Sequence, residues 1–348
     1  MTFRLHGVAR HVLMAAVYSV LGAILVLLIV FIVYLNSRTD LEIWHTIDLD
    51  EEFTTDVRVD TFQAYLELEQ RLFEQLDELV YEKTPPANRT VINRFHRGSL
   101  SDPQRWNRNW NRSFELNNPS PKGAVLLIHG MSDSPYSLRK PAQRLHAAGY
   151  HVLGLRLPGH GTAPSGLLEL TWQEMAAATR MAMQYLAEQH PEGPLYIVGY
   201  SAGAALGVHY ALAAQEDDAL PRVERMVLLS PAIGVSPVAA FAVWQARLGH
   251  LLGLDKLAWN DIQPEYDPYK YGSFAVNAGD QIYRLTVQIN RLINRLDDGQ
   301  GIHGFPEVIA FQSVVDATVS TPDLISGLFD HLAGEGHELV LFDINRSA

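Results

Sequence analysis

From Gly123 onward the sequence predicts an α/β fold, a mostly parallel sheet with helices on both faces, and three observations carry that prediction. Short apolar runs at 124–128, 152–157, 195–199, 225–230, 308–315 and 338–342 read as strands, and most are apolar throughout rather than alternating. Continuous apolar strands are what a sheet covered on both faces requires. Helix-start signals stand between them: Ser134-Pro135, the capping box Thr171-Trp172-Gln173-Glu174, and Thr321-Pro322. The third observation is Gly199-Tyr200-Ser201-Ala202-Gly203, a G-x-S-x-G pentapeptide between an apolar run and an alanine-rich segment. Such a strand-to-helix corner holds a serine hydroxyl above a sheet and turns the next backbone N–H toward it.

The elements are taken in order. Residues 1–40 are read as a cytoplasmic N-terminus and a transmembrane anchor. No charged residue occurs from Val12 to Leu35, a run longer than the roughly 20 apolar residues that span a bilayer. Arg4 and Arg10 precede it, whereas Asp40, Glu42, Asp48, Asp50, Glu51 and Glu52 follow, so the positive-inside rule places the bulk of the chain across the membrane. The length of the run and the absence of a small-x-small site favour an uncleaved anchor over a signal peptide. The expected location is therefore a single-pass membrane protein with a periplasmic or extracytoplasmic catalytic domain, the membrane being a partner through this helix.

Residues 41–87 form an acidic linker and an amphipathic helix. Phe62, Tyr65, Leu66, Leu72, Phe73, Leu76, Leu79 and Val80 recur at three- and four-residue spacing, and Pro85-Pro86 ends the pattern. Residues 88–348 are the α/β domain. It opens with an Asn- and Arg-rich stretch whose alternation at Trp110, Arg112, Phe114 and Leu116 reads as an early antiparallel strand pair rather than a nucleic-acid or glycan surface. Residues 235–305 interrupt the strand–helix alternation by about 70 residues, far beyond an ordinary connection. Their apolar content, from Phe241 and Trp244 to Trp259, suits a helical lid insertion over a cleft.

Composition narrows the chemistry. A net charge of −12 argues against a nucleic-acid partner, and the absence of cysteine removes disulfides, thiol nucleophiles and thiolate metal sites. The glycines are not a P-loop, no G-x-G-x-x-G follows a strand, and His129, His160 and His209 are not spaced as a metal set, so neither cofactor nor metal is expected.

Three motifs now stand in order, each after a strand: His129-Gly130-Met131-Ser132-Asp133-Ser134-Pro135, Leu157-Pro158-Gly159-His160-Gly161, and Gly199–Gly203. Together they resemble the α/β-hydrolase fold, with monoacylglycerol-lipase-like carboxylesterases and serine aminopeptidase hydrolases as the nearest groups. The resemblance implies Ser201 as nucleophile and the backbone N–H groups of Met131 and Ala202 as oxyanion donors. It implies Asp316, which leaves the apolar run 311–315, as the acid that orients a histidine. The implied activity is hydrolysis of a carboxylic ester, a lipid or other small-molecule acyl ester, through an acyl-enzyme. Amide or peptide hydrolysis on the same fold is the alternative.

The histidine itself is not found. The family order is serine, acid, histidine, with the histidine after the last strand. Only His331 and His337 follow Asp316. His331 belongs to a helix, and His337 precedes its strand, which puts it at the wrong sheet edge, as is His303. The sequence reading is that the chain is truncated at its C-terminus; a non-catalytic binding module is the other way to account for the missing base. Oligomeric state is not legible.

Overall fold

The computed structural model describes residues 2–234, 254–316 and 319–343. The chain divides into two compact units, residues 1–41 and 42–348. In the first, α1 (Thr2–Ser37) is one continuous helix. Its stretch Leu13–Ser37, 25 residues, is long and apolar enough to cross a membrane.

The second unit is built on a seven-stranded sheet in the order β1-β3-β2-β4-β5-β8-β9. The strands are β1 (Phe114–Leu116), β2 (Ala124–Ile128), β3 (His151–Leu155), β4 (Leu195–Tyr200), β5 (Arg225–Leu229), β8 (Glu307–Ser313) and β9 (Glu338–Phe342). Only β1 is antiparallel, paired with β3; the other five pairings are parallel. Every residue of β2 and β3 is buried, as the uninterrupted apolar runs require. Helices α4 (Arg139–Ala147), α5 (Trp172–Gln189), α6 (Ala202–Glu216) and α8 (Thr321–Gly327) fall between the strands. The capping box at Thr171 is formed, its hydroxyl accepting from Glu174 N and the Glu174 carboxylate from Thr171 N.

Three expectations are refined. The strand pair sought in 88–118 reduces to β1; a short 3-10 helix at Pro103–Arg105 and turns occupy most of the rest, because Asp102 and Asn109 side chains accept from backbone N–H groups two residues on. The helix at 321 is capped by Ser320, whose hydroxyl accepts from Asp323 N, rather than by Thr321. The stretch after residue 41 is not a bare link. It makes α2 (Ile43–Thr46) and buries Trp44, His45, Leu49 and Phe53.

Helix α3 (Phe62–Leu76), capped by Thr61, buries Leu72, Phe73 and Leu76 with Trp44, Leu49, Phe95 and Ala163 in one core cluster. Its hydrophobic face is the one the periodicity predicts. The element that fastens it is ionic. Arg156, just past β3 and 1 % exposed, donates to both Glu52 oxygens at 2.9 and 3.0 Å and to Glu69 at 3.1 Å. It also donates to the carbonyls of Leu157 and His160, while Tyr65 donates to the Arg156 carbonyl at 2.7 Å. Burial alone would loosen the Arg156 proton, but the charges of Glu52 and Glu69 outweigh it and hold that proton well above the ordinary guanidinium range.

Of the 235–305 segment, Phe241, Trp244, Leu248, Leu251 and Leu252 lie outside the described residues. The remainder contains a two-stranded ribbon, β6 (Trp259–Asp261) and β7 (Phe274–Ala275), and the long helix α7 (Val276–Leu296). Helix α7 packs against α6, and polar bonds tie its first turns to the segment that leads into α5: Asn277 donates to the carbonyls of Leu167 and Leu170, and Gln281 accepts from Trp172 N.

Candidate active site

Strand β4 is the central strand of the sheet, and Ser201 follows its last residue. Its backbone sits at φ 53°, ψ −117°, a region that L-residues rarely occupy and that costs of order 1–3 kcal/mol. Neighbouring bonds hold it there. Ser201 N donates to Leu229 O at 2.9 Å, and Ser201 O accepts from Ala204 N at 3.0 Å and Ala232 N at 3.1 Å. Both flanking glycines are sterically required. A Cβ at Gly199 would lie 2.6 Å from Ala204 N, and one at Gly203 would overlap the carbonyl oxygens of Ile128 and His129. The corner is thus pressed against the end of β2.

That contact brings the second motif to the serine. A Cβ on Gly130 would stand 3.3 Å from Ser201 Cβ and 3.1 Å from the Tyr200 ring. Met131 follows, buried, in a turn where Ser132 takes φ 61° and its carbonyl accepts from Tyr271 N at 2.8 Å. Ala202 is the first residue of α6, so its N–H has no acceptor within its own helix. Among the described residues neither the Met131 nor the Ala202 amide donates to a backbone acceptor.

Asp316 lies beyond the C-terminal end of β8, three residues past the strand. Parallel registration of β4, β5 and β8, Tyr200 with Leu229 and Leu229 with Phe311, puts that end on the same sheet edge as Ser201. Its N–H donates to Ser313 O, and its Oδ1 accepts from Val319 N at 3.1 Å. The carboxylates of Asp133 and Asp316 both add to the burial that raises the Tyr200 phenol, so both are felt beside the residue that precedes Ser201. Its sequence neighbours Ala317 and Thr318 lie outside the described residues.

The histidines are occupied elsewhere. The His129 ring is fully buried, Nδ1 against Gly130 O at 2.8 Å and Nε2 accepting from Leu157 N at 3.1 Å; burial holds it neutral, well below its ordinary pKa. It ties the Gly130–Met131 turn to the turn after β3. His160 is engaged through Nδ1 with Pro158 O, its ring 5.1 Å from that of His129. His331 Nδ1 meets Asp297 at 2.6 Å, and His337 Nε2 faces Ala333 O. Among the described residues no imidazole bonds to the Ser201 hydroxyl, and no three His, Asp or Glu side chains group as a metal site.

Burial of imidazoles sets a pH dependence. Desolvation lowers His45, His160 and His209 from 6.5 to about 4, so the unfolded chain binds more protons than the folded one between those limits. Stability is therefore full above about 6.5 and falls as pH drops toward 4, by about 1.4 kcal/mol per pH unit for each histidine. Asp133, raised by burial to about 6, acts in the opposite sense below 6 and offsets one of the three. Urea unfolding at pH 6.5 and 4.5 is expected to show a loss of several kcal/mol; equal midpoints would contradict the neutral, buried rings.

Several of these features had no signal in the sequence. Ser132 and Ser230, at φ 61° and 42°, are non-glycine residues in left-handed conformations, which their residue type does not announce. Glu52 meets Arg156 across 104 positions.

A family profile described as serine aminopeptidase, S33, matches residues 119–294, half of the chain. The thermostable monoacylglycerol lipase of a Bacillus species is 24 % identical over 172 residues, 49 % of this chain and 65 % of that protein. The monoacylglycerol lipase of Mycolicibacterium smegmatis is 32 % identical over 123 residues, 34 % of this chain and 42 % of that one. The match thus spans less than two thirds of either relative. Among solved structures, one described as of the metagenome-derived lipolytic enzymes LipS and LipT aligns at TM-score 0.51 and 22 % identity, covering 67 % of this chain and 88 % of that one. A soluble variant of monoglyceride lipase from Saccharomyces cerevisiae aligns at TM-score 0.50 and 14 % identity, covering 67 % and 82 %. At such identities the structures speak to the fold, which is that of the α/β-hydrolases. The chain belongs to the serine aminopeptidase (S33) family of α/β-hydrolases.

Proposed function

We propose that the protein is a serine hydrolase that cleaves carboxylic esters through an acyl-enzyme on Ser201. The observation that carries this reading is the strained backbone of Ser201, held at the head of the central strand with the Gly130–Met131 turn against it. Ser201 Oγ attacks the ester carbonyl carbon and gives up its proton to a base. The oxyanion forms between the amides of Met131 and Ala202, the C–O bond breaks, and the alcohol leaves with a proton. Water then attacks the acyl-enzyme and restores the serine. Asp316 is the acid that orients the base.

The substrate class we infer is a lipid or similarly apolar acyl ester. It is supported by the monoacylglycerol lipases to which the chain is similar and by the apolar span Leu13–Ser37. We take that span as an uncleaved anchor with the hydrolase unit on the far side of the membrane from the N-terminus, since Arg4 and Arg10 precede it and carboxylates follow it. Segment 235–305 acts as the lid. With p-nitrophenyl esters of rising chain length, kcat/KM is expected to increase from acetate to octanoate by about tenfold or more, each buried methylene adding to binding. A flat or falling series would contradict an apolar acyl site. The lack of an imidazole on Ser201 among the described residues favours one rival, a non-catalytic hydrolase-fold module, which predicts no turnover of any ester.

A further inference from the structure

A second surface stands out in the 88–112 stretch. Val91 is 66 % exposed, Leu100 57 % and Trp106 44 %; Ile92 is exposed beside them and Tyr266, 52 % exposed, belongs to the same face. The loop that presents them is internally bonded. Leu100 N donates to Val91 O at 2.6 Å, Ser99 Oγ to Asn93 O, and the Asp102 carboxylate accepts from Gly98 N and Gln104 N. Ser101 Oγ donates to Tyr266 O and thereby joins the two segments. The aliphatic tips point outward from a fixed scaffold.

The charge around them is opposite to that of the protein. Six arginines and one aspartate lie between residues 88 and 112, in a chain of net charge −12. Arg94 is buried, Arg97 pairs with Asp77 and Asp102, and Arg112 donates to Gln70. Arg89, Arg105 and Arg108 are exposed and form no ion pair among the described residues. Nearby Asp267 accepts from the backbone of Tyr269 and Lys270 and sits beside the exposed Lys270.

We propose that this face docks on an anionic lipid bilayer, the aliphatic tips and Trp106 entering the interface and the three arginines meeting headgroup phosphates. Exposed aliphatic side chains and three exposed arginines in one stretch, Arg105 donating to Ser99 O next to Leu100, match the layered chemistry of a membrane surface, whereas a nucleic acid offers Val91, Ile92 and Leu100 no apolar partner. The same chain carries a helix apolar enough to span a bilayer. The face also borders the candidate site: Trp106 packs on Tyr269 with ring centres 5.5 Å apart, Tyr269 stacks on Tyr136 at 3.7 Å, and Tyr271 N bonds Ser132 O in the oxyanion turn. Docking there brings the neighbourhood of the Gly130–Ser132 turn toward lipid. The proposal does not depend on Ser201 chemistry.

The test uses the full chain, which has no cysteine, reconstituted in phosphatidylcholine vesicles with and without phosphatidylglycerol. Leu100→Cys carries an environment-sensitive fluorophore, and Ala219→Cys, exposed before β5 at the opposite sheet edge, is the control. Quenching by doxyl-labelled lipid is expected to be several-fold greater at position 100 than at 219, and only with phosphatidylglycerol present. It should fall to the control level in Arg89→Gln/Arg105→Gln/Arg108→Gln. Equal quenching at 100 and 219, or quenching at 100 that ignores the anionic lipid, overturns the proposal. So does an unquenched Leu100→Cys that cross-links between copies, which assigns the face to a second molecule. Should the triple variant misfold, the lipid comparison on Leu100→Cys decides alone.

Discussion

Ser201→Ala is expected to lower ester hydrolysis by at least about 10³-fold while leaving the unfolding midpoint unchanged or slightly raised. The size of the effect follows from the role proposed for Ser201: a serine hydrolase without its nucleophile keeps only binding and oxyanion stabilisation, and such losses run to about 10⁶-fold. The stability half follows from strain. The side chain lost is one hydroxyl with no hydrogen-bond partner among the described residues, and the strained corner is held by backbone bonds and by Gly199 and Gly203, which the substitution does not touch. A variant that keeps most of its activity would remove Ser201 from the chemistry. A variant that loses activity together with its fold would leave the role to be read from Ser201→Cys, which preserves shape and a nucleophilic atom.

The second large effect is at Arg156. Its guanidinium is almost wholly excluded from water and satisfied by two carboxylates and two carbonyls, so Glu52→Ala leaves a buried charge with half its counterions. Breaking a buried pair from one side costs about 3–5 kcal/mol, and the lower figure applies because Glu69 remains. For a unit of this size, residues 42–348, a loss of about 3 kcal/mol lowers Tm by roughly 5 °C. Glu52→Gln, which still offers an acceptor to Gly159 N, should lose less. Activity should fall as well, since Glu52 and Arg156 fix the turn whose Leu157 N bonds His129, and His129 in turn holds the Met131 turn. Scanning calorimetry that finds both variants within 2 °C of the parent would show that the N-terminal segment does not brace the site.

How much of this was legible in the sequence depends on the range of the interactions. The strands of the sheet, the Thr171 capping box and the Ser201 corner are local devices: apolar runs, a side chain reaching three residues ahead, two glycines flanking a turn. Each was readable because its cause lies within a few positions. The order of strands was not, since β1 pairs with β3 and β8 lies beside β5 across about 80 residues. Nor was the packing of residues 42–56 onto the hydrolase unit. Their acidic composition reads as a solvated link, yet Glu52 is there to neutralise Arg156, and Trp44 to stack on Phe95 at 5.0 Å. The Asn- and Arg-rich stretch that holds Trp106 reads as part of an early strand pair, because sequence gives no sign of which side chains a turn-bonded loop leaves outside. Ser132 is a similar case: at positive φ, its carbonyl accepts from Tyr271 N, 139 residues on.

The central claim, that the hydroxyl at residue 201 is the acyl-accepting group, is tested most directly by locating a covalent adduct. The full chain is treated with a fluorophosphonate and digested, and the modified peptide is sequenced by mass spectrometry. The account predicts one phosphonylated residue, Ser201, lost in Ser201→Ala and blocked by prior incubation with a long-chain ester. Modification of a different serine, or none in a chain that hydrolyses esters, would contradict it.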